Sequence, residues 1–301
     1  MITVGIPTYN CVDYICESIE SALNQPGVDI EVLVYDDAST DDTFSTIQYI
    51  FGNRIKIIQG KNNIGLGAAR NQLIAQASGQ YIIFLDSDDL LLPGSLAKLR
   101  AAITGYEIAF GMVEPFCNID GKRIIPRQGR DEWLNEAVKK IKNSRKLTYE
   151  LAQIAPAWGK LISLPFLRKN GVRCSEIRYM EDCLFAYLLA FSNPRYTVID
   201  DVVQNIRQHE KSMSASMDES KFINVMLVTK ELIENTRSQP WPLKIRLLGN
   251  NLVYFLSYQK QNPEIFEWTV KHKHILSLSQ RLLITLKLLK AQKEVKYCKL
   301  L

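Results

Sequence analysis

The sequence predicts an α/β fold: an αβα sandwich of nucleotide-binding type with a mostly parallel central sheet, plus a helical C-terminal extension. Three observations carry this. Short apolar runs rich in Val and Ile alternate with helix-spaced segments over the first hundred residues. The run Tyr81-Ile82-Ile83-Phe84-Leu85 is apolar on both faces, as in a parallel strand covered by helices on either side. Hydrophobic residues make up 47% of the 301 positions, enough for a full buried core.

The elements follow in order. Ile2–Ile6 is a short strand ended by Pro7. Helical spacing runs over Val12–Asn24, with Ile15, Ile19, Ala22 and Leu23 on one face. Ile30–Tyr35 is a second strand, ended by Asp36-Asp37. Ser39 or Thr40 is expected to cap the next helix, because apolar spacing resumes at Phe44, Ile47 and Ile50. Ile55–Ile58 is a third strand, Gly65–Ala77 a third helix and Tyr81–Leu85 a fourth strand. Ligands of such folds bind beyond the carboxyl ends of the strands. After residue 100 the pattern loosens. Glu107–Val113 reads as a strand, Asp120-Gly121 as a turn, Asp131–Leu151 as one charged helix, Glu181–Phe191 as a helix and Tyr196–Ile199 as a late strand. From Lys221 onward the pattern is almost wholly helical, which puts a domain boundary near residue 220.

Composition narrows the function classes. Gly (15) and Pro (11) are too few for a low-complexity or collagen-like chain. The net charge of +5 is unevenly spread. Residues 1–240 hold 26 Lys/Arg against 29 Asp/Glu, whereas residues 268–301 hold 8 against 1. The basic character belongs to the tail, so a nucleic-acid partner is not expected. No stretch approaches the length of a membrane span. MITVGIPTYN has no basic n-region and no long apolar core, so no secretory signal is expected and a cytoplasmic location is. The six cysteines form no C-x-x-C pair and no metal-ligand spacing, which reads as reduced, mostly buried thiols.

Two strands end in paired acids, Asp36-Asp37 and Asp86-Ser87-Asp88-Asp89. Three carboxylates within four residues after a buried strand repel one another unless something positive neutralises them. A divalent cation shared with substrate phosphates would do so, Mn²⁺ or Mg²⁺ by its oxygen preference. The structural alternative is a helix cap at Asp86 or Ser87 ahead of Leu90. Gly65-Leu66-Gly67-Ala68-Ala69-Arg70 is not a dinucleotide fingerprint: that pattern follows the first strand and needs a third glycine where Arg70 stands. Gly65 and Gly67 instead let the backbone approach a nucleotide at the helix start. Arg70 has two readings, a partner for the diphosphate or a structural ion pair with the acids.

In this order and spacing, IPTYN, VYDDASTDDT, NNIGLGAARN and FLDSDD resemble the donor-binding half of a family 2 glycosyltransferase with the GT-A fold. The resemblance covers residues 1–115 closely. It implies that Pro7, Tyr9 and Asp37 hold the nucleotide base and ribose, with Gly67, Arg70 and Ser87 beside the donor. It also implies that Asp86 and Asp88 form the Asp-x-Asp motif, with Asp88 on the metal. A second stretch, Trp158-x-Lys160-Leu161 followed by Glu181-Asp182, resembles the acceptor half of the same family. There the resemblance makes Asp182 the catalytic base and gives Glu181 the acceptor or the orientation of the base. A carboxylate within reach of a sugar hydroxyl can take its proton as the new bond forms; the structural alternative is that both acids complement a helix dipole. Trp158 either stacks on an acceptor sugar or sits in the core, and Lys160 is a candidate for a phosphate. Arg207, His209, Ser212 and Ser214 keep most of a further family stretch near the diphosphate, with Asn205-Ile206 where an aromatic is usual. His209 is read as a second metal ligand, or else as structural.

The resemblance implies a metal-dependent inverting transfer from a nucleotide sugar, with UDP the expected nucleotide, to a saccharide or lipid-linked acceptor, as in cell-surface polysaccharide synthesis. Two rivals stand beside it. A nucleotidyltransferase shares the fold and metal but carries a Gly-rich basic loop after the first strand, where PTYN stands here. A nucleotide-sugar-binding module would lack catalytic geometry. The organisation expected is a glycosyltransferase domain over 1–220, with a donor half over 1–115 and an acceptor half over 116–220, and a basic extension over 221–301. In the extension Ile275, Leu278, Leu282, Leu286 and Leu289 share one helical face with Lys287, Lys290 and Lys293 off it. That face suits either a membrane interface or packing on protein, including a second copy of the chain.

Overall fold

The computed structural model describes residues 1–119, 122–124, 132–142, 147–152 and 154–209, with isolated positions between 224 and 235. Met1–Glu176 together with Glu181–Ala215 form one compact unit, and Ile177–Met180 with Ser216–Leu301 fall to a second. The basic extension expected over 221–301 lies outside the described residues apart from those isolated positions, as do Ser212 and Ser214 and the Asp120-Gly121 turn.

The first unit builds from alternating elements. They are β1 (Ile2–Thr8), α1 (Ile15–Leu23), β2 (Ile30–Asp36), α2 (Thr43–Phe51), β3 (Lys56–Gln59), α3 (Leu66–Gln76) and β4 (Tyr81–Phe84). Then come β5 (Leu90–Leu91), α4 (Ser95–Ala102), β6 (Ile108–Ile119), β7 (Lys122–Ile124), α5 (Glu132–Lys142) and α6 (Leu147–Ala152). The last are β8 (Lys160–Ser163), α7 (Leu164–Lys169), α8 (Glu181–Phe191) and β9 (Tyr196–Arg207). Among the described residues the sheet order is β3-β2-β1-β4-β8-β6-β9-β5, with β7 paired to β6. β3, β2, β1 and β4 are mutually parallel, and β6 and β9 are parallel. β8 enters between β4 and β6 antiparallel to both.

β1 is buried along its whole length. On one face Ile2, Val4 and Ile6 join Ile15 and Ile19 of α1, Ile47 of α2, and Leu96 and Leu99 of α4 in one apolar cluster. On the other, a side chain on Gly5 would already touch Leu73 of α3 and Phe84. Helices on both faces explain why the strands read as continuous apolar runs rather than alternating ones.

Several boundaries differ from expectation. β1 runs through Pro7 to Thr8, since β4 stops pairing with β1 at Gly5 and so needs no amide from Pro7. α2 is not capped by Ser39 or Thr40; the Oδ1 of Asp41 accepts the Thr43 N–H at 3.0 Å instead. Within the charged stretch over 131–151 the described residues are helical, as α5 and α6. The late strand continues eight residues past Ile199, and Leu90-Leu91 is a strand paired to it rather than the start of a helix capped by Asp86 or Ser87.

Candidate active site

The site gathers beyond the carboxyl ends of β1, β2 and β4. At the first of these, two loops are stitched together. The Asn10 side chain accepts the Thr40 N–H at 2.8 Å and donates to Thr40 Oγ1 at 3.1 Å, while the Asn10 N–H donates to Ser39 Oγ at 2.9 Å. Asn10 (φ 49°) and Ala38 (φ 61°) both take left-handed backbone, a conformation held only where the surroundings over-determine it. This latch joins the segments that carry Pro7, Tyr9 and Asp37. Pro7 is buried, and Tyr9 is exposed at the mouth. Asp37 is buried, and its two oxygens accept the Ile64 and Gly65 N–H groups, both at 2.8 Å. Its carboxylate therefore shapes the turn into α3. Asn10 was not among the expected site residues; the signal was an Asn in a strand-end turn, a residue that tolerates left-handed backbone.

The acids after β4 have divided tasks. Asp86 is clamped: Oδ1 accepts from Arg70 at 2.7 Å and Oδ2 from Trp158 Nε1–H at 2.8 Å. Ser87 contributes its carbonyl, which accepts from Ser18 Oγ at 2.8 Å and, more weakly, from the Cys11 thiol at 3.5 Å. Asp88 Oδ2 lies 2.8 Å from His209 Nε2. Burial, and then the charge of Asp86, push the Asp88 carboxyl above its ordinary range, while His209 opposes. Asp89 is turned into the protein. It accepts the Arg207 N–H at 2.8 Å and the Gln204 amide at 3.4 Å, and burial holds its carboxyl well above the usual value. Asp89 thus anchors the end of β9.

Arg207 completes that anchor. Its Cζ lies 4.8 Å from the Tyr14 ring centroid and 4.5 Å from that of Phe116, a cation held between two aromatic faces. It donates to the Asp88 carbonyl at 2.7 Å and to Glu17 at 2.6 Å. The chain then leaves β9 with His209 over Tyr14, ring centroids 5.1 Å apart.

The acceptor-half residues sit on α8 and ahead of β8. Glu181 and Asp182 open α8, Glu181 buried and Asp182 half-buried. Of the two readings of Arg70, the geometry carries the ion pair: Nη1 donates to Glu181 at 2.8 Å and Nη2 to Asp86. Burial works against the guanidinium charge, but Asp86 and Glu181 outweigh it and raise its pKa further. Burial and Asp182 push Glu181 up to about 7 against the pull of Arg70. Burial also raises Asp182, while Arg70 and Lys160 favour its ionised form. Lys160 does not reach for a phosphate: its Nζ is buried and donates to the carbonyls of Ile154 (2.8 Å) and Pro156. Burial lowers it to about 7. Trp158 belongs neither to the core nor, by its N–H, to an acceptor; it is half-buried and binds Asp86.

Gly67 has a structural task as well. A Cβ there would lie 1.9 Å from the Ser175 carbonyl and 2.8 Å from Glu181 Cβ, so the missing side chain permits close approach of the α8 start.

Among the described residues no cluster of three or more Cys, His, Asp or Glu side chains forms a closed metal site. Asp88 and His209 still fit a cation that takes its other ligands from a diphosphate and water, as Mg²⁺ and Mn²⁺ commonly do. Burial, and then the charge of Asp86, disfavour the ionised Asp88 carboxyl, and such a cation would offset both. No described helix is long and apolar enough to cross a membrane.

The model of glycosyl transferase family 2 matches residues 3–158. Chondroitin synthase of Pasteurella multocida is 42% identical over 97 residues, 32% of this chain and 10% of that protein. The Escherichia coli UDP-Glc:alpha-D-GlcNAc-diphosphoundecaprenol beta-1,3-glucosyltransferase WfaP is 44% identical over 89 residues, 30% of this chain and 36% of the relative. The chain thus spans a tenth to about a third of these curated relatives. Among solved structures, S. aureus TarS 1–349 in complex with UDP-GlcNAc superposes with a TM-score of 0.67 at 23% identity, covering 95% of this chain and 84% of that one. At that identity the likeness concerns the fold.

Proposed function

The chain belongs to glycosyl transferase family 2, and from that premise we propose that it transfers a sugar from a UDP-sugar to an acceptor hydroxyl, with inversion, in polysaccharide or glycoconjugate synthesis. The observation that carries this reading is the convergence of Asp86 and Asp88, at the end of β4, with Glu181 and Asp182, at the start of α8, through the shared Arg70. Donor-side and acceptor-side acids thereby stand at one site.

In this reading the latched loops behind Tyr9 and Asp37 shape the pocket for base and ribose. Asp86, held by Arg70 and Trp158, offers its remaining lone pairs to the donor. Asp88 and His209 would hold Mn²⁺ or Mg²⁺, and such an ion supplies charge neutralisation for the departing diphosphate when bound. Asp182 accepts the proton of the acceptor hydroxyl as it attacks the face opposite the nucleotide. Burial raises the Asp182 carboxyl, and Arg70 and Lys160 beside it favour the ionised form that the step needs. A lipid-linked saccharide acceptor fits the chemistry named for the glucosyltransferase relative.

The test is release of UDP from a panel of UDP-sugars with Mn²⁺, comparing wild type with Asp88→Ala and Asp182→Asn. Activity is expected in the wild type and loss in both variants. Full activity in both would overturn the site assignment.

A further inference from the structure

Arg70 is buried, and both arms of its guanidinium are committed. Nη2 donates to Asp86 Oδ1 at 2.7 Å and Nη1 to Glu181 Oε1 at 2.8 Å, while its Cζ lies 5.9 Å from the Phe84 ring centroid. Asp86 is in turn fixed on its second oxygen by Trp158 at 2.8 Å. The result is a single charged bridge from the end of β4, through α3, to the first residue of α8. Asp182 is the next residue along that helix. A turn earlier on α3, the absent side chain of Gly67 leaves room for Glu181 Cβ and the Ser175 carbonyl. Sequence separations of 16 and 111 residues are closed by this one side chain. Drawing the guanidinium onto a substrate phosphate would take the cation from buried Glu181 and leave Asp86 with Trp158 alone, a costly exchange.

We propose that Arg70 is a positioning residue: it ties the first turn of α8 to the strand-end acid Asp86 and so sets Asp182 against the acceptor hydroxyl, without itself touching donor or acceptor. The proposal rests on the reading of Asp182 as the base. A carboxylate that must meet a hydroxyl in near-attack geometry loses rate when its helix shifts by about 1 Å, whereas donor binding on the β1–β4 side is left intact.

The experiment compares wild type with Arg70→Lys, Arg70→Gln, Glu181→Gln, Asp86→Asn and the Arg70→Gln/Glu181→Gln pair. Each is checked for folding by thermal melting, then assayed by calorimetry with UDP and Mn²⁺ and by steady-state UDP release from the UDP-sugar that the wild type turns over best. UDP affinity is expected to stay within about twofold in Glu181→Gln, where Arg70 still holds Asp86, while kcat falls about tenfold or more in Arg70→Gln and Glu181→Gln. The double variant should be little worse than either single one, because the two residues act as a unit, and Arg70→Lys should restore part of the rate. A loss of UDP affinity in folded Arg70→Gln about tenfold beyond that of Asp86→Asn would make Arg70 a diphosphate ligand and overturn the proposal. Unchanged kcat in the folded Arg70 variants would overturn it too. If Arg70→Gln does not fold, the near-isosteric Glu181→Gln decides alone, by lost or retained kcat at unchanged UDP affinity. A wild type that turns over no nucleotide sugar would instead strike the catalytic reading itself, and the positioning role would fall with it.

Discussion

His209 Nε2 lies 2.8 Å from Asp88 Oδ2, although 121 residues separate them. The contact exists because β9 ends beside the acids of β4. Arg207 and Asp89 then lock that end in place two residues before His209.

His209 therefore has a measurable task. His209→Ala is expected to raise the Mn²⁺ concentration for half-maximal UDP release by about tenfold or more, since loss of a ligand or its support commonly has that effect. The check is a Mn²⁺ titration at saturating donor, with wild type and variant side by side. An unchanged midpoint would leave His209 as packing on Tyr14.

The acids of the triplet are not equivalent. Burial holds the Asp89 carboxyl well above its ordinary range, and its oxygens accept from Arg207 and Gln204. Asp89→Asn should keep activity within about threefold, because an amide oxygen can still accept the Arg207 N–H. Asp88→Asn should cost about a hundredfold or more, because a neutral amide is a poor ligand for a hard cation. Comparing kcat/KM for the two variants tests the division.

Gly67→Ala adds a methyl 1.9 Å from the Ser175 carbonyl, with backbone on both sides of the clash. We expect a loss of about 2–3 kcal/mol in stability, the upper range for overpacking. The measurement is the denaturant midpoint at constant slope; a change below about 0.5 kcal/mol would mean that the α3–α8 approach is looser than described.

Lys160 carries a pH signature. Its folded pKa, about 7, lies below its ordinary value of 10.5 because burial disfavours the ammonium. Between those values the unfolded chain binds more protons, so this residue makes stability rise with pH from about 7 to 10.5. Below about 7 both states are charged and the burial cost is fully present. In Lys160→Met the slope of unfolding free energy over that window should fall by up to about 1.4 kcal/mol per pH unit. Denaturant melts at pH 7, 8 and 9 measure it; identical slopes would contradict it.

Much of this was legible in the sequence. The β1 to β4 strands announce themselves because helices on both faces make them apolar throughout, and their terminal acids mark the site. β8 and the second half of β9 were hidden for physical reasons. β8 is four residues long, and β9 carries exposed Asp200 and Asp201 mid-strand, so neither shows a clean pattern. Glu181 and Asp182 were visible as residues, but their link to Arg70 crosses 111 positions and has no periodic signal. Asp37, Trp158 and Lys160 show the same gap from another side: residue type said that each was polar and near the site, while the partner was fixed by packing.

The parallel pairing of β6 with β9 shifts register twice: Phe110 faces Val198, Met112 faces Val202 and Val113 faces Gln204. The surplus residues, with Asp200 and Asp201 at the surface, sit midway along the strand. A residue gained or lost beside Asp200 and Asp201 falls at the surface and costs only their exposed ion pairs with Lys142 and Lys98. One gained between Gln204 and Arg207 would turn each following side chain to the opposite face and carry His209 away from Asp88. A change in length is therefore cheap at the surface before Val203 and disrupts the site after it.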